Sequence, residues 1–173
     1  MTPALADALL LHRETVVVDL HADTPKLIDL LGLDISRRHK PPLPGARYLG
    51  HVDVPRMREG GLGAQFFGMW TFPYPRAGCA ESVHRQLDAL DTAVANHPDQ
   101  LAWCRSADDV LAASRSGLIG VLAGLEGGQA LEARADRVAD FARRGVRYLG
   151  LLHFTANDLG RPAKGIGADA AAG

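Results

Sequence analysis

The sequence has little of what several classes of protein require. Among its 173 residues, 19 basic side chains nearly balance 20 acidic ones, which leaves a formal net charge of −1. A protein that binds nucleic acid or an anionic membrane surface needs a basic patch, so we expect neither partner. The two cysteines, Cys79 and Cys104, form neither a CxxC pair nor a disulfide framework, which is typical of a reducing compartment.

Long apolar runs and a secretory leader are also missing. No uncharged apolar stretch approaches the roughly 20 residues that span a bilayer. Residues 1–7 lack the basic start and apolar core of a signal peptide. Apolar residues nevertheless make up 47% of the chain, enough for one domain to bury a core. We therefore expect a single cytoplasmic domain without a membrane segment.

Apolar, strand-like runs alternate with amphipathic, helix-like segments along the chain. Strands are predicted at residues 15–20, 62–70, 101–103, 118–125 and 146–152. Helices are predicted at residues 3–12, 53–58, 83–94, 106–116 and 130–144, with Asp53 and Ser106 as N-caps. The Pro- and Gly-rich segment 33–50 is predicted to be a loop.

This alternation predicts an α/β fold with a parallel sheet and right-handed crossovers. Polar side chains directly after several of the strands favour a parallel (β/α) barrel of the TIM type, because such barrels build their sites where strands end. A closed barrel needs eight strands, whereas the sequence offers four or five. Residues 1–173 are therefore expected to form a single incomplete (β/α)8 domain, roughly the first half of the barrel, truncated at its C-terminus.

Three predicted strands end in side chains that can bind a metal ion or move a proton. The first strand runs into His21 and Asp23, a later one into Glu126, and the last into His153. Barrels of this type build their sites where the strands end, so we expect these side chains to meet. Imidazole and carboxylate groups are ordinary zinc ligands. Together the residues predict a hydrolytic metal site.

Each of these side chains also has a simpler interpretation. His21 and Asp23 could be a hydrogen-bonded pair near a strand end, and Glu126 could be a carboxylate at a helix start. His153 could be a core histidine. Asp19 is expected to pack or to make a hydrogen bond at the strand end rather than to bind metal, and the remaining histidines are not expected at strand ends.

The segments that carry these residues resemble the membrane dipeptidase (renal dipeptidase) family of zinc metallopeptidases. Residues 19–23 are similar to the family's Asp-x-His-x-Asp strand end, and residues 53–67 to its D-x-P-R-x-x-x-G-x-x-G-x-Q-F-W segment. Residues 124–128 (Gly-Leu-Glu-Gly-Gly) and 145–153, which resemble G-V-R-Y-L-T-L-T-H, follow in the family's order. Phe67 departs from the pattern, because the family often has Trp there.

The resemblance implies a TIM-type barrel that binds two zinc ions and hydrolyses dipeptides. His21 and Asp23 would bind the first ion and Glu126 would bridge both. A bridging water would attack the peptide carbonyl, and His153 would bind substrate and stabilise the charge that develops on the carbonyl oxygen. In the family, two further histidines for the second ion and a substrate-binding arginine come from later strands, which cannot be placed here.

Two alternative functions stay open at this point. The chain could be a non-catalytic metal-binding or interaction fragment, or an amidohydrolase-type barrel hydrolase that acts on a cyclic amide. Amidohydrolases usually carry His-x-His at the first strand, so Asp23 favours the dipeptidase. Unpaired strand edges also allow a homo-oligomer.

Overall fold

A computed structural model of the chain describes residues 3–40, 50, 52–74 and 77–166. The helices are α1 (Pro3–Glu14), α2 (Thr24–Leu31), α3 (Val54–Glu59), α4 (Cys79–Asn96), α5 (Ala107–Arg115) and α6 (Asp136–Arg143). The strands are β1 (Val17–Ala22), β2 (Leu62–Trp70), β3 (Leu101–Trp103), β4 (Ile119–Glu126) and β5 (Val146–Gly150), and a short 3-10 helix covers Gly128–Leu131. Predicted loop residues 41–49, together with His51 and the tail 167–173, lie outside the described residues.

The strands form one parallel sheet, as the sequence predicts. β2 pairs with β1 on one side and with β4 on the other, and β5 pairs with the second half of β4. The short β3 pairs with the first residues of β4, on the same side of β4 as β5. Strands β1, β2, β4 and β5 therefore follow one another like four consecutive strands of an eight-stranded TIM-type barrel.

Side chains of β2 and β4 alternate between two buried faces. The odd-numbered residues of both strands pack in the main core, which includes Phe67, Met69, Val121, Ala123 and Leu125. The even-numbered residues Ala64 and Leu122 belong to a second cluster with Val110 and Ala113 of α5. Since both faces are covered, these strands read as continuous apolar runs in the sequence. The second face carries the site residues at its far end.

Asp53 and Ser106 cap their helices as predicted. The Ser106 side chain accepts a hydrogen bond from the backbone N–H of Asp109 (3.2 Å), and the Asp53 carboxylate accepts one from the N–H of Arg56 (2.9 Å). Asp53 is fully buried and also pairs with the Arg56 guanidinium, which donates to the His39 carbonyl (2.6 Å). This carboxylate therefore ties residue 39 to the start of α3.

Helix α2 is an element that the sequence analysis did not predict. Pro25 stands in its first turn, where a missing N–H costs nothing, and Gly32 ends it in the left-handed conformation with φ 62°. The helix has eight residues and begins directly after β1. Asp23 followed by Pro25 is a helix-start signal in the sequence, which the sequence analysis did not use.

The predicted helix over 130–144 is wrong in its first half. The 3-10 helix takes up residues 128–131, Glu132 and Ala133 have positive φ values of 47° and 57°, and α6 begins at Asp136. Two left-handed residues in succession interrupt a right-handed helix. In the shorter α6, Phe141 is buried in the core, whereas Val138 is 49% exposed.

None of the helices among the described residues is both long enough and apolar enough to cross a membrane. Cys79 and Cys104 are both buried, and no disulfide joins them. Burial raises the pKa of the Cys104 thiol, and the nearby Asp109 adds to the shift.

We expect Asp53→Ala in the intact protein to lower the free energy of unfolding by about 3–5 kcal/mol. The substitution removes a helix cap and leaves the partly buried Arg56 guanidinium without its anion. Ser106→Ala is the matched control, because it removes a cap without a buried charge and should cost about 1 kcal/mol. Urea denaturation measures both, and equal losses would contradict the role given to the buried ion pair.

Candidate metal centre

An irregularity in β1 positions His21. Asp19 pairs with Gln65 of β2 and Ala22 pairs with Phe67, so three steps along β1 match two along β2. Such an irregularity re-aims the side chains that follow it. The Asp19 carboxylate accepts hydrogen bonds from the backbone N–H of His21 (2.7 Å) and from Gln65 Nε2 (3.0 Å). Asp19 therefore makes the predicted strand-end hydrogen bond and fixes the backbone that carries His21.

The His21 imidazole occupies space that only a glycine at position 68 leaves open. A Cβ on Gly68, in the neighbouring strand β2, would lie 2.2 Å from Cε1 of the ring. The ring turns Nδ1 to the Tyr148 hydroxyl at 2.8 Å. Its other nitrogen, Nε2, is thereby directed to the carboxylates at the ends of β1 and β4.

The structure brings His21, Asp23 and Glu126 together. Asp23 directly follows β1, and Glu126 is the last residue of β4. His21 Nε2 lies 3.1 Å from Asp23 Oδ1 and 3.6 Å from Glu126 Oε2. One candidate ligand atom from each residue lies within 4.8 Å of the other two. His21 and Glu126 are more than 100 positions apart in the sequence. The three residues nevertheless occupy one small volume at the carboxyl ends of two strands.

His153 approaches Glu126 from the other side. It lies three residues beyond β5, and its Nε2 is 3.3 Å from Glu126 Oε1. Its Nδ1 is 2.5 Å from the Tyr74 hydroxyl, and its ring lies against Phe154, with centroids 4.2 Å apart. All four predicted site residues therefore meet around the Glu126 carboxylate.

The carboxylates of Asp23 and Glu126 lie close enough to repel each other. Burial raises the pKa of Glu126, and the negative charge of Asp23 raises it further, although His153 and His21 oppose the shift. Burial, followed by the charge of Glu126, raises the pKa of both Tyr74 and Tyr148 to about 12. Both phenols are therefore neutral near neutral pH.

Sequence analysis missed two tyrosines and two glycines of this site. Tyr148 was assigned only to a strand, although a polar side chain within an apolar run signals a buried partner. Its neighbour Gly124 leaves room for the ring, because a Cβ there would lie 2.1 Å from Tyr148 Cζ. Tyr74 follows β2 in a Pro-rich segment that carries no comparable signal. Gly68 differs in no visible way from the other strand glycines.

The other described histidines lie away from this cluster. His84 Nε2 pairs with Asp140 (3.1 Å) and His97 Nε2 with Asp34 (3.4 Å). Both side chains are partly buried, and neither lies at a strand end. His12 contacts the Gly60 carbonyl at 3.0 Å.

The donor set fits a zinc ion. Ligand atoms about 2.0–2.2 Å from a tetrahedral Zn²⁺ lie roughly 3.3–3.6 Å from one another. The two distances from His21 Nε2, 3.1 and 3.6 Å, come close to that spacing. A divalent cation would also offset the repulsion that raises the pKa of Glu126. Imidazole and carboxylate groups are donors that zinc accepts.

The chain belongs to the membrane dipeptidase family (peptidase family M19), whose family model matches residues 5–169. Over 166 residues it is 29% identical to the dipeptidase ataJ of Aspergillus terreus. This match covers 90% of this chain and 39% of that protein. Over 166 residues it is also 27% identical to an uncharacterized dipeptidase of Schizosaccharomyces pombe, covering 87% of this chain and 38% of that protein.

Solved structures confirm the fold. The probable dipeptidase PvdM from Pseudomonas aeruginosa matches with a TM-score of 0.78 at 17% identity, over 95% of this chain and 42% of that one. A metallo peptidase from Rhodobacter sphaeroides, liganded with a phosphinate mimic of the dipeptide L-Ala-D-Ala, matches with a TM-score of 0.63 at 21% identity, over 79% and 45% of the two chains. The chain therefore spans about two fifths of the length of these relatives.

We expect Gly68→Ala in the intact protein to weaken zinc binding by about tenfold or more, the scale of losses seen when a ligand's support is altered. The new Cβ would displace the His21 ring, which can rotate, so the fold should survive with a cost of roughly 1–3 kcal/mol. Competition with a chelator measures the affinity. Gly60→Ala is the control, since its Cβ would make an ordinary 3.4 Å contact. Unchanged affinity in Gly68→Ala would contradict the placement of His21.

Proposed function

We propose that this chain supplies the first-half ligands of a zinc-dependent dipeptidase with a site for two metal ions. The observation that carries the proposal is the convergence of His21, Asp23 and Glu126 in a member of the M19 family. In this proposal, His21 and Asp23 bind the first ion and Glu126 bridges the two. The dipeptidase names of the fungal relatives and the dipeptide mimic in the bacterial structure support a dipeptide substrate.

The two carboxylate oxygens of Glu126 face different partners, which supports a bridging role. Its Oε2 faces His21 at 3.6 Å, whereas its Oε1 faces His153 at 3.3 Å, so the two oxygens serve opposite sides of the site. The described residues contain a single group of three candidate ligands. The remaining ligands of the second ion would therefore come from outside this group.

Zinc held by His21, Asp23 and Glu126 would supply Lewis-acid polarisation of the substrate carbonyl and a bound water of lowered pKa. This chain's own contribution is to hold the reacting groups and to limit solvent. His153, with a side chain only 17% exposed, directs Nε2 into the site, where an N–H can donate to the carbonyl oxygen as negative charge develops there.

We expect Glu126→Gln in the intact protein to lose bound zinc and to reduce dipeptidase activity far more than His153→Ala does. The carboxylate supports both ions, whereas loss of one hydrogen-bond donor to an oxyanion costs about 10²–10³ in rate. Elemental analysis and turnover of a dipeptide panel measure the two effects. Glu81→Gln, the same change on an exposed side chain, is the control.

Two results would distinguish the alternatives. Equal losses in Glu126→Gln and His153→Ala, with zinc content unchanged in both, would exclude Glu126 as a bridge. Zinc bound by the intact protein without turnover of any dipeptide would favour a non-catalytic metal-binding protein. The cytoplasmic location and a homo-oligomer stay predictions.

Residues 1–173 expressed alone are expected to bind zinc weakly and to hydrolyse no dipeptide. The second ion lacks its imidazoles in this set of ligands, so the two-metal arrangement that activates water is incomplete. Elemental analysis, a dipeptide assay and size-exclusion chromatography test this expectation, with the intact protein as the control. A monomer of residues 1–173 that holds two zinc ions and turns over dipeptides would contradict the assigned division of ligands.

A further inference from the structure

Both histidines of the site bind a tyrosine hydroxyl through Nδ1 and turn Nε2 towards Glu126. The distance from Tyr148 Oη to His21 Nδ1 is 2.8 Å, and that from Tyr74 Oη to His153 Nδ1 is 2.5 Å. The tyrosines come from different parts of the sheet, Tyr148 from β5 and Tyr74 from the segment after β2. The same pairing is thus built twice, once on each side of one carboxylate.

Each tyrosine ring is held by contacts that do not involve its hydroxyl. Tyr148 lies over Gly124, directly opposite it in the pairing of β4 with β5, and its centroid is 5.2 Å from that of Phe66. Tyr74 packs edge-on against Phe72, with centroids 5.6 Å apart, and its backbone has φ 58°. That conformation is unusual for a bulky residue, so the surrounding chain must hold it in place.

The two hydrogen bonds must run in opposite directions if the histidines have the proposed roles. A neutral imidazole carries one proton, and the hydrogen bond at one nitrogen decides which nitrogen holds it. Nε2 of His21 must present a lone pair to a metal ion, so its Nδ1–H donates to Tyr148. Nε2 of His153 faces a carboxylate oxygen at 3.3 Å and lies outside the group of three candidate ligands. The proposed role of His153 as a donor to substrate requires the proton on that nitrogen, so Nδ1 would accept from the Tyr74 O–H.

We propose that Tyr148 and Tyr74 are positioning residues that set His21 and His153 in opposite tautomers, one as a metal ligand and the other as a hydrogen-bond donor to substrate. The inference rests on the proposed function, which supplies the metal-binding role of His21. A phenol suits both tasks because its oxygen can accept a hydrogen bond and its O–H can donate one. The partner of each tyrosine, not its own chemistry, decides the direction.

Tyr148→Phe and Tyr74→Phe in the intact protein test the proposal, since each removes one hydroxyl and keeps the ring. Tyr148→Phe is expected to weaken zinc binding by about 10–100-fold, as loss of a partner that orients a ligand does. Tyr74→Phe is expected to leave zinc affinity within about twofold and to lower kcat by about tenfold, less than the loss of an oxyanion donor itself. Its KM should change little.

Nitrogen NMR of ¹⁵N-histidine-labelled, zinc-loaded protein reads the tautomers directly. The expected spectrum has the proton of His21 on Nδ1 and that of His153 on Nε2. Tyr74→Phe should turn His153 into a mixture of tautomers without altering His21. Phe66→Leu and Phe72→Leu are the controls, because they loosen the packing of each tyrosine ring but keep both hydroxyls. They should leave the tautomers unchanged and weaken zinc binding clearly less than Tyr148→Phe does.

Several outcomes would overturn the inference. If Tyr148→Phe binds zinc like the wild type while Glu126→Gln does not, the metal site stands and the positioning role fails. The same tautomer on both histidines would also refute it, as would a loss in Phe66→Leu as large as that in Tyr148→Phe. A wild-type protein that binds no zinc would instead contradict the proposed function itself.

Discussion

The candidate site depends on one half-buried carboxylate, Glu126, that lies close to a second carboxylate, Asp23. Glu126 ends the central strand β4, and burial together with Asp23 raises its pKa. Two histidines from opposite flanks of the sheet face it, at 3.6 and 3.3 Å. Parallel strands make this meeting possible because their carboxyl ends lie at one edge. A sheet with antiparallel neighbours would place every second strand end at the far edge.

The packing around the Glu126 carboxylate depends on two glycines, which leave space for neighbouring rings. Gly68 and Gly124 leave the volumes that the His21 and Tyr148 rings occupy. The cost is a weaker strand, since glycine in a strand interior contributes no side chain to the core. The opposite face of both strands compensates, because its odd-numbered residues are buried in the main core. One face of β2 and β4 therefore packs in the main core, whereas the end of the other face carries the site residues.

Most of the sheet and the main candidate site residues could be predicted from the sequence. β2 and β4 are buried on both faces, so their apolar runs mark them clearly, and polar residues at strand ends stand out against such runs. Positions that depend on contacts distant in sequence could not be predicted. Glu132 and Ala133 adopt left-handed conformations that nothing local requires, and the hydroxyl of Tyr74 reaches a histidine 79 residues away. Hydrophobic periodicity predicts which face of a helix or strand is buried, but it does not predict which other element packs against that face.

Strand β1 links the site to the state of the sheet edge. It carries His21, its outward residue Leu20 is 67% exposed, and among the described residues it pairs with β2 alone. An exposed, half-paired strand is the part of a sheet that opens most readily. The position of His21 then depends on the β2 pairing, on Asp19 and on the Tyr148 hydroxyl from the other flank. Any contact that covers β1 would also restrict the movement of His21, because the bulge that aims its ring lies in that strand. The aim of the His21 ring is therefore set jointly by its own strand, by β2 and by β5.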